Sequence, residues 1–244
     1  MLEAAVAGSG TPLLLLHGWA LDRRAWSPQF EPLSPSCRVV ALDRRGFGRS
    51  TAPPDLAAEI DDLLAVREAL GVDRMVLVGM SQGARTALHF AFKYPALTAG
   101  LVLQGAALDG FQPEPRGEDA IPLEAYRELV RNGRIEAMKA LWREHPLMRR
   151  GGAAELLADY DGRDLLVEET PPPALAGLLG AIEAPALIVT GGDDVAWRQL
   201  VGDALAYGLP NARRAWIAGG HLCNLSQPAA YNELVASFVA GLAA

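Results

Sequence analysis

The stretch at residues 79–83, Gly-Met-Ser-Gln-Gly, contains a serine in a setting suited to nucleophilic chemistry. A short apolar, β-branched run at residues 75–78 precedes it, and a helix-forming segment at residues 85–92 follows at once. A serine between glycines on a strand-to-helix turn is held in a strained conformation, with its hydroxyl exposed at the carboxyl end of the strand. We therefore predict that Ser81 is a nucleophile.

A serine hydroxyl is a poor nucleophile near neutral pH, so it needs a histidine to take its proton and a carboxylate to orient that histidine. His221 follows two glycines in a loop after a predicted strand, which suits a residue over a site. Asp193 and Asp194 end another predicted strand, and Asp109 follows a third. From the residues alone, all three acids are candidates for the orienting carboxylate.

The other histidines and the two cysteines receive structural predictions. His89 is expected to pack on a helix, His145 to end a helix or to line the pocket, and His17 to brace backbone. Two cysteines do not make a disulfide framework. Cys223 lies two residues from His221, but no activating partner accompanies it, so we predict that it is structural, like Cys37.

The elements that position these residues alternate between strand and helix. Predicted strands cover residues 13–16, 37–42, 75–78, 99–103, 186–190 and 213–217. Predicted helices cover residues 22–30, 56–70, 85–92 and 228–242, and a further helix ends at residue 207. This alternation predicts an α/β fold with a mostly parallel, doubly wound sheet, helices on both faces, and ligands bound at the carboxyl ends of the strands.

The alternation stops after Leu108. Residues 109–117 are rich in proline and glycine and indicate a linker, and helices predicted at 122–130, 134–144 and 153–159 follow without a strand between them. We predict that residues 109–170 form a small helical cap that shapes the substrate pocket, inserted in a core made of residues 1–108 and 171–244. The alternative is a helical decoration away from the site.

Five segments resemble motifs of the α/β-hydrolase superfamily: an oxyanion loop, a D-x-R-G-x-G-x-S turn, a nucleophile elbow, an acid loop and a histidine loop. They are residues 17–19, 43–50, 79–83, 191–194 and 220–221. The chain order Ser81, Asp194, His221 is also that of the superfamily. The resemblance implies the α/β-hydrolase fold, a catalytic triad of these three residues, and an oxyanion hole built from the backbone N–H groups of Trp19 and Gln82.

The resemblance further implies a carboxylesterase that cleaves esters of small to medium acyl chains through an acyl-enzyme, with no metal or organic cofactor. Residues 221–228 are similar to the histidine region of 3-oxoadipate enol-lactonases, so a lactonase is the next alternative. Carbon-carbon bond hydrolases and perhydrolases use the same triad. A ligand-binding receptor on this fold would require a broken triad.

Two features depart from the superfamily pattern. Few residues precede the first strong strand, so the antiparallel pair that often opens this fold is expected to be abbreviated to residues 2–7. Ala84 stands where many relatives have a second glycine, which affects helix packing and leaves the chemistry untouched.

Composition limits the class of partner. The chain has 244 residues, half of them apolar, and a net charge of -7, which argues against a nucleic-acid surface or a polybasic membrane patch. It lacks the apolar run of ~20 residues that a membrane helix needs, and it does not begin like a secretory signal. We expect a cytoplasmic protein that acts on a small-molecule ester or lactone, as a monomer or homodimer.

Overall fold

The computed structural model describes residues 1–111, 120–149, 153–168, 170 and 172–242. Within these residues, seven strands form one sheet in the order β1-β3-β2-β4-β5-β6-β7. Only β1 is antiparallel to its neighbour, so the predicted mostly parallel sheet is confirmed. The strands are β1 (Glu3–Ala7), β2 (Thr11–Leu16), β3 (Cys37–Asp43), β4 (Met75–Met80), β5 (Thr98–Gln104), β6 (Ala186–Gly191) and β7 (Ala212–Ile217).

The described α-helices cover both faces of this sheet. They are α1 (Ser27–Leu33), α2 (Leu56–Leu70), α3 (Gln82–Lys93), α4 (Leu123–Arg131), α5 (Ile135–Glu144), α6 (Ala196–Gly208), α7 (Cys223–Ser226) and α8 (Pro228–Leu242). None of the described helices combines the length and the apolar composition that crossing a membrane requires.

The leucine run of β2 shows how one strand serves two cores. Leu13 and Leu15 point to the face packed by α1 and α8, whereas Leu14 and Leu16 point to the face packed by α2, α3 and α6. Because both faces are covered, all four side chains are buried and the strand is a continuous apolar run, as in parallel sheets generally. The doubly wound arrangement is therefore confirmed.

Two predicted helices differ from the observed elements. The predicted helix at 22–30 is a 3₁₀ turn, Arg23–Trp26, followed by α1, because Pro28 favours a helix start and cannot donate the hydrogen bond of a continuing helix. The predicted helix at 153–159 is a single 3₁₀ turn, Ala154–Leu157. There the Lys139 ammonium binds the Ala158 carbonyl.

The segment between β5 and β6 is helical in its described part. It contains α4, α5 and 3₁₀ turns at Ala154–Leu157, Arg163–Leu166 and Leu179–Ala181, with no strand among the residues described there. Of the predicted linker, residues 112–117 lie outside the described residues. We refer to residues 120–170 as the β5–β6 segment.

Candidate active site

The predicted catalytic residues lie along one edge of the sheet. Residues 17–19 follow β2, Ser81 follows β4, Asp194 follows β6 and His221 follows β7. These four strands are parallel, so their carboxyl ends meet at the same edge, where open α/β sheets bind ligands.

The turn at Ser81 is tightly packed and strained. Ser81 has φ 54° and ψ −112°, and among the described non-glycine residues only it and Ala20 have a positive φ. A Cβ at Gly83 would lie 2.2 Å from the Leu16 carbonyl oxygen, and one at Gly79 would lie 2.5 Å from helix backbone, so both positions exclude a side chain. The turn thus presents the serine where strand β4 meets helix α3.

His221 pairs with Asp194. Asp194 Oδ2 lies 2.9 Å from His221 Nδ1, and both side chains are almost fully buried. The other carboxylate oxygen accepts the N–H of Val195 at 2.8 Å, which fixes the carboxylate. A carboxylate beside Nδ1 favours the tautomer with its proton on Nδ1 and leaves Nε2 as a proton acceptor.

The other two candidate acids lie differently. Asp109 Oδ2 accepts hydrogen bonds at 2.7 Å from His89 Nε2 and from Arg85 Nε. Burial raises the pKa of Asp109, but the hydrogen bonds from His89 and Arg85 outweigh it and hold the pKa below the ordinary value. The Asp193 N–H donates to the Gly219 carbonyl. Asp194 hydrogen-bonds to His221 through its carboxylate, and the carboxylate of Asp109 is bound instead by His89 and Arg85.

Two cavities meet at Ser81. A small cavity of about 20 Å³ is bordered by Ser81, His221, Trp19 and apolar side chains. A larger cavity of about 540 Å³ also borders Ser81 and Trp19, together with Gln82 and part of the β5–β6 segment. Among the described hydrogen bonds, none joins the Ser81 hydroxyl to His221; such catalytic bonds often shorten only in the substrate complex.

Trp19 and Gln82 both border the larger cavity beside Ser81. In the described part of the chain, neither the Trp19 N–H nor the Gln82 N–H donates to another protein group. Gln82 is the first residue of α3, and N–H groups in a first helical turn have no partner within the helix. Paired N–H groups beside a serine can stabilise an oxyanion.

His17 braces the backbone, as predicted from its position. Its Nδ1 lies 2.8 Å from the Gly18 carbonyl oxygen and its Nε2 accepts the Arg44 N–H at 3.0 Å. Burial and the nearby Arg44 charge lower the pKa of His17 to about 3, so the ring is neutral. The Arg44 guanidinium pairs with buried Glu59 and also binds the His17 carbonyl oxygen and the Gln82 side chain, which ties the two candidate oxyanion loops together.

Sequence reasoning missed a buried amide network behind His221. Gln104, at the end of β5, accepts the Ser81 N–H at its carbonyl, and its side chain donates to the His221 carbonyl oxygen at 2.8 Å. The same amide donates to Asn224, whose backbone and side chain are bound by Gln29. Polar residues inside the otherwise apolar stretches 101–104 and 222–225 were the available signal.

The thiols are structural. Burial and the Asp194 charge together raise the pKa of Cys223 to about 12, so the group stays a neutral thiol. Cys37 is also buried, and burial raises its pKa. Neither has the thiolate character that a reactive cysteine requires.

The β5–β6 segment contacts Trp19 closely. The Trp19 ring packs against Tyr126, Trp142 and Tyr160, at centroid distances of 6.1, 4.7 and 6.0 Å. Its indole N–H donates to Asp164 Oδ2 at 2.7 Å. Sequence reasoning identified none of these partners, because they are more than 100 positions away along the chain.

The sequence model of the alpha/beta hydrolase fold family matches residues 11–132, half of the chain. The chain belongs to this family. The match spans the oxyanion loop and the elbow, and the observed sheet confirms the fold that the sequence motifs implied. This chain is accordingly a hydrolase of the alpha/beta fold.

Relatives of this alpha/beta hydrolase differ in their substrates. The chain is 29% identical over 260 residues to the 2-hydroxy-6-oxononadienedioate/2-hydroxy-6-oxononatrienedioate hydrolase of Paraburkholderia phymatum, covering 96% of this chain and 88% of the relative. The structure is similar to a thermophilic esterase from Thermogutta terrifontis, with TM-score 0.80, 27% identity, and coverage of 99% and 93%. It also shares its fold with the enol-lactonase of Burkholderia xenovorans LB400, with TM-score 0.83, 21% identity, and coverage of 98% and 96%.

Proposed function

We propose that this alpha/beta hydrolase is a serine carboxylesterase that cleaves esters of small to medium acyl chains. The observation that carries the proposal is the His221–Asp194 pair, whose histidine borders the same cavity as the strained serine of the elbow. A buried carboxylate on Nδ1 makes Nε2 the atom that takes the serine proton.

In the proposed mechanism, Ser81 attacks the ester carbonyl while His221 takes its proton. The backbone N–H groups of Trp19 and Gln82 stabilise the oxyanion that forms. His221 then gives its proton to the leaving alcohol, which leaves an acyl-enzyme on Ser81. A water activated by His221 releases the acid, and Asp194 stabilises the imidazolium in both steps.

We also propose that residues 109–170 form a cap over a core made of residues 1–108 and 171–244. Its described part supplies several residues to the wall of the larger cavity, among them Ile121, Leu147 and Leu165. The volume of about 540 Å³ lies within the range of sites for small molecules. Because the β5–β6 segment forms part of the wall of this cavity, the cavity supports the proposal that the segment is a cap that selects the substrate.

An ester substrate is further supported by the likeness to a thermophilic esterase of 27% identity over nearly the whole chain. A lactone, which is an ester closed into a ring, is the second candidate. Residues 221–228 favour it, because this stretch is similar to the histidine region of enol-lactonases. Carbon-carbon bond cleavage is the third, on the likeness to a relative whose name gives a 2-hydroxy-6-oxo dienedioate substrate.

A fluorophosphonate probe tests the nucleophile. We expect covalent labelling of Ser81 in the folded protein, no label in Ser81→Ala, and much slower labelling in His221→Gln. Loss of the serine or the histidine should reduce ester turnover by several orders of magnitude. Absence of label on the unchanged, folded protein would refute the hydrolase mechanism proposed here.

A substrate panel decides between the candidates. p-Nitrophenyl esters of rising acyl length are compared with simple lactones and a vinylogous 1,5-diketone by kcat/KM. We expect the highest value for an ester of small to medium chain. Faster turnover of the lactones than of every ester would favour the second candidate, and faster turnover of the diketone would favour the third.

A further inference from the structure

Asp164 is a partly buried acid of the β5–β6 segment, on the wall of the larger cavity, that the proposed mechanism does not use. Its Oδ2 accepts the Trp19 indole N–H and its Oδ1 accepts the Tyr160 hydroxyl, both at 2.7 Å. Among the described ion pairs, none joins this carboxyl to an arginine or lysine. Burial raises the pKa of Asp164, and the hydrogen bonds from Tyr160 and Trp19 oppose that rise.

The residue that Asp164 binds is in a strained turn. Trp19 supplies one proposed oxyanion donor through its backbone, and Ala20 directly after it has φ 59°. A non-glycine residue with positive φ is strained and persists only where the surroundings hold it. A residue that binds the Trp19 side chain, as Asp164 does, can therefore stabilise this turn.

Arg163, the residue before Asp164, attaches the 3₁₀ turn Arg163–Leu166 to the loop that follows β3. Arg163 Nε donates to the Gly46 carbonyl oxygen at 2.9 Å, and Nη2 donates to the carbonyl oxygens of Gly48 and Ser50 at 3.2 and 3.0 Å. That loop begins at Arg44, which binds the His17 carbonyl. Consecutive residues of the β5–β6 segment thus hold both core loops next to Ser81.

We propose that Asp164 is a positioning residue, whose carboxyl holds the Trp19 ring and through it the strained oxyanion turn, so that the oxyanion hole is complete only with the cap docked. The inference rests on the proposed function for its kinetic consequence. If Asp164 has this role, the cap affects the rate of the chemical step as well as the choice of substrate. A carboxyl that only shaped the cavity would instead change substrate affinity.

The test replaces the carboxyl and its partners one at a time. Asp164→Leu removes both acceptors, and Trp19→Phe keeps a ring but removes the indole donor. Asp164→Asn is the conservative rescue, because its amide oxygen still accepts from Trp19. Tyr160→Phe is the matched control, since it removes the other donor to the same carboxyl and leaves the Trp19 bond intact.

We expect Asp164→Leu and Trp19→Phe each to lower kcat by about 10- to 100-fold, less than the ~10²–10³-fold loss of a whole oxyanion donor. The fold loss should be the same for short and long acyl esters, with KM little changed. The double variant should lose no more than either single one, because both remove the same bond. Asp164→Asn and Tyr160→Phe should stay near the unchanged protein.

Hydrogen exchange gives a readout that does not depend on turnover. Amides in a peptide covering residues 17–22 should exchange faster in Asp164→Leu and Trp19→Phe, and amides at the elbow, residues 80–84, should not. Unchanged exchange at 17–22, or a loss confined to KM and dependent on chain length, would overturn the proposal. If Ser81 takes no fluorophosphonate label, the proposed function fails, and the exchange comparison still decides whether Asp164 holds the turn.

Discussion

Asp194 and Asp109 follow neighbouring strands and contact different histidines. Asp194 hydrogen-bonds to His221, whereas Asp109 is bound by His89 and Arg85. Both acids follow a predicted strand, so the residues alone left the choice open. The direction in which each loop leaves its strand decides which imidazole a carboxylate reaches, and no local pattern encodes that direction.

Single substitutions test whether Asp194 is the acid that orients His221. Asp194→Asn should lower kcat by about 10⁴-fold, because an amide presents the wrong histidine tautomer to the serine. Asp109→Asn should leave kcat close to that of the unchanged protein. Both variants are compared in ester hydrolysis after their thermal unfolding has been measured. Loss of activity in Asp109→Asn but not in Asp194→Asn would reverse the assignment.

Strand β5 connects Ser81, the proposed nucleophile, to the loop that carries His221. Gln104 accepts the Ser81 N–H with its carbonyl and holds the His221 carbonyl with its side chain. The strand lies between β4 and β6 in the sheet, so it is fixed on both edges. One residue at its end therefore sets the spacing of two loops that are far apart in sequence.

Gln104→Leu should reduce both stability and rate. It leaves two buried acceptors, the His221 carbonyl and Asn224 Oδ1, without this donor, at about 1–3 kcal/mol each in free energy of unfolding. Displacement of the histidine loop should also lower kcat. Gln29→Leu is the matched control, because Gln29 is buried in the same network and does not contact His221.

Urea unfolding and ester kinetics separate the two effects. Both variants should lose stability, and only Gln104→Leu should lose kcat beyond what its unfolded fraction explains. Equal loss of kcat in the two variants would show that the network acts through general stability.

The free energy of unfolding of the whole protein should depend on pH through the titration of His17. Its pKa in the folded protein is about 3, below the ordinary 6.5, because the ring is buried beside Arg44. Between these two values the unfolded chain binds a proton that the folded chain does not. The free energy of unfolding should therefore fall as pH is lowered through this window, by up to about 1.4 kcal/mol per pH unit from this group.

Urea denaturation between pH 7 and pH 4 measures this contribution. His17→Gln cannot titrate and keeps an acceptor for the Arg44 N–H, so its stability should decline less steeply below pH 6.5. Other acid-sensitive groups are common to both proteins and cancel in the comparison. Parallel curves over this range would mean that His17 does not carry the effect.

The sequence by itself determined the α/β class, the order of the strands along the chain, and the strand-turn-helix context of Ser81. These follow from local patterns: apolar runs, glycine spacing and capping residues act over a few positions. It also gave β1 and most helix ends within a few residues. It failed at residues 22–30, where Pro28 lies at the start of a separate helix, and at residues 153–159, where a single 3₁₀ turn forms.

Only the tertiary structure decided which residues support the candidate catalytic ones. The choice of Asp194 as partner of His221, the Gln104 amide, and the bond from Asp164 to Trp19 join positions 27, 117 and 145 residues apart. Such contacts depend on how loops converge at one sheet edge and on how the β5–β6 segment folds back over it. Side chains that bind residues far away along the chain produce no periodic pattern in the sequence, because each is a single residue whose position depends on tertiary packing.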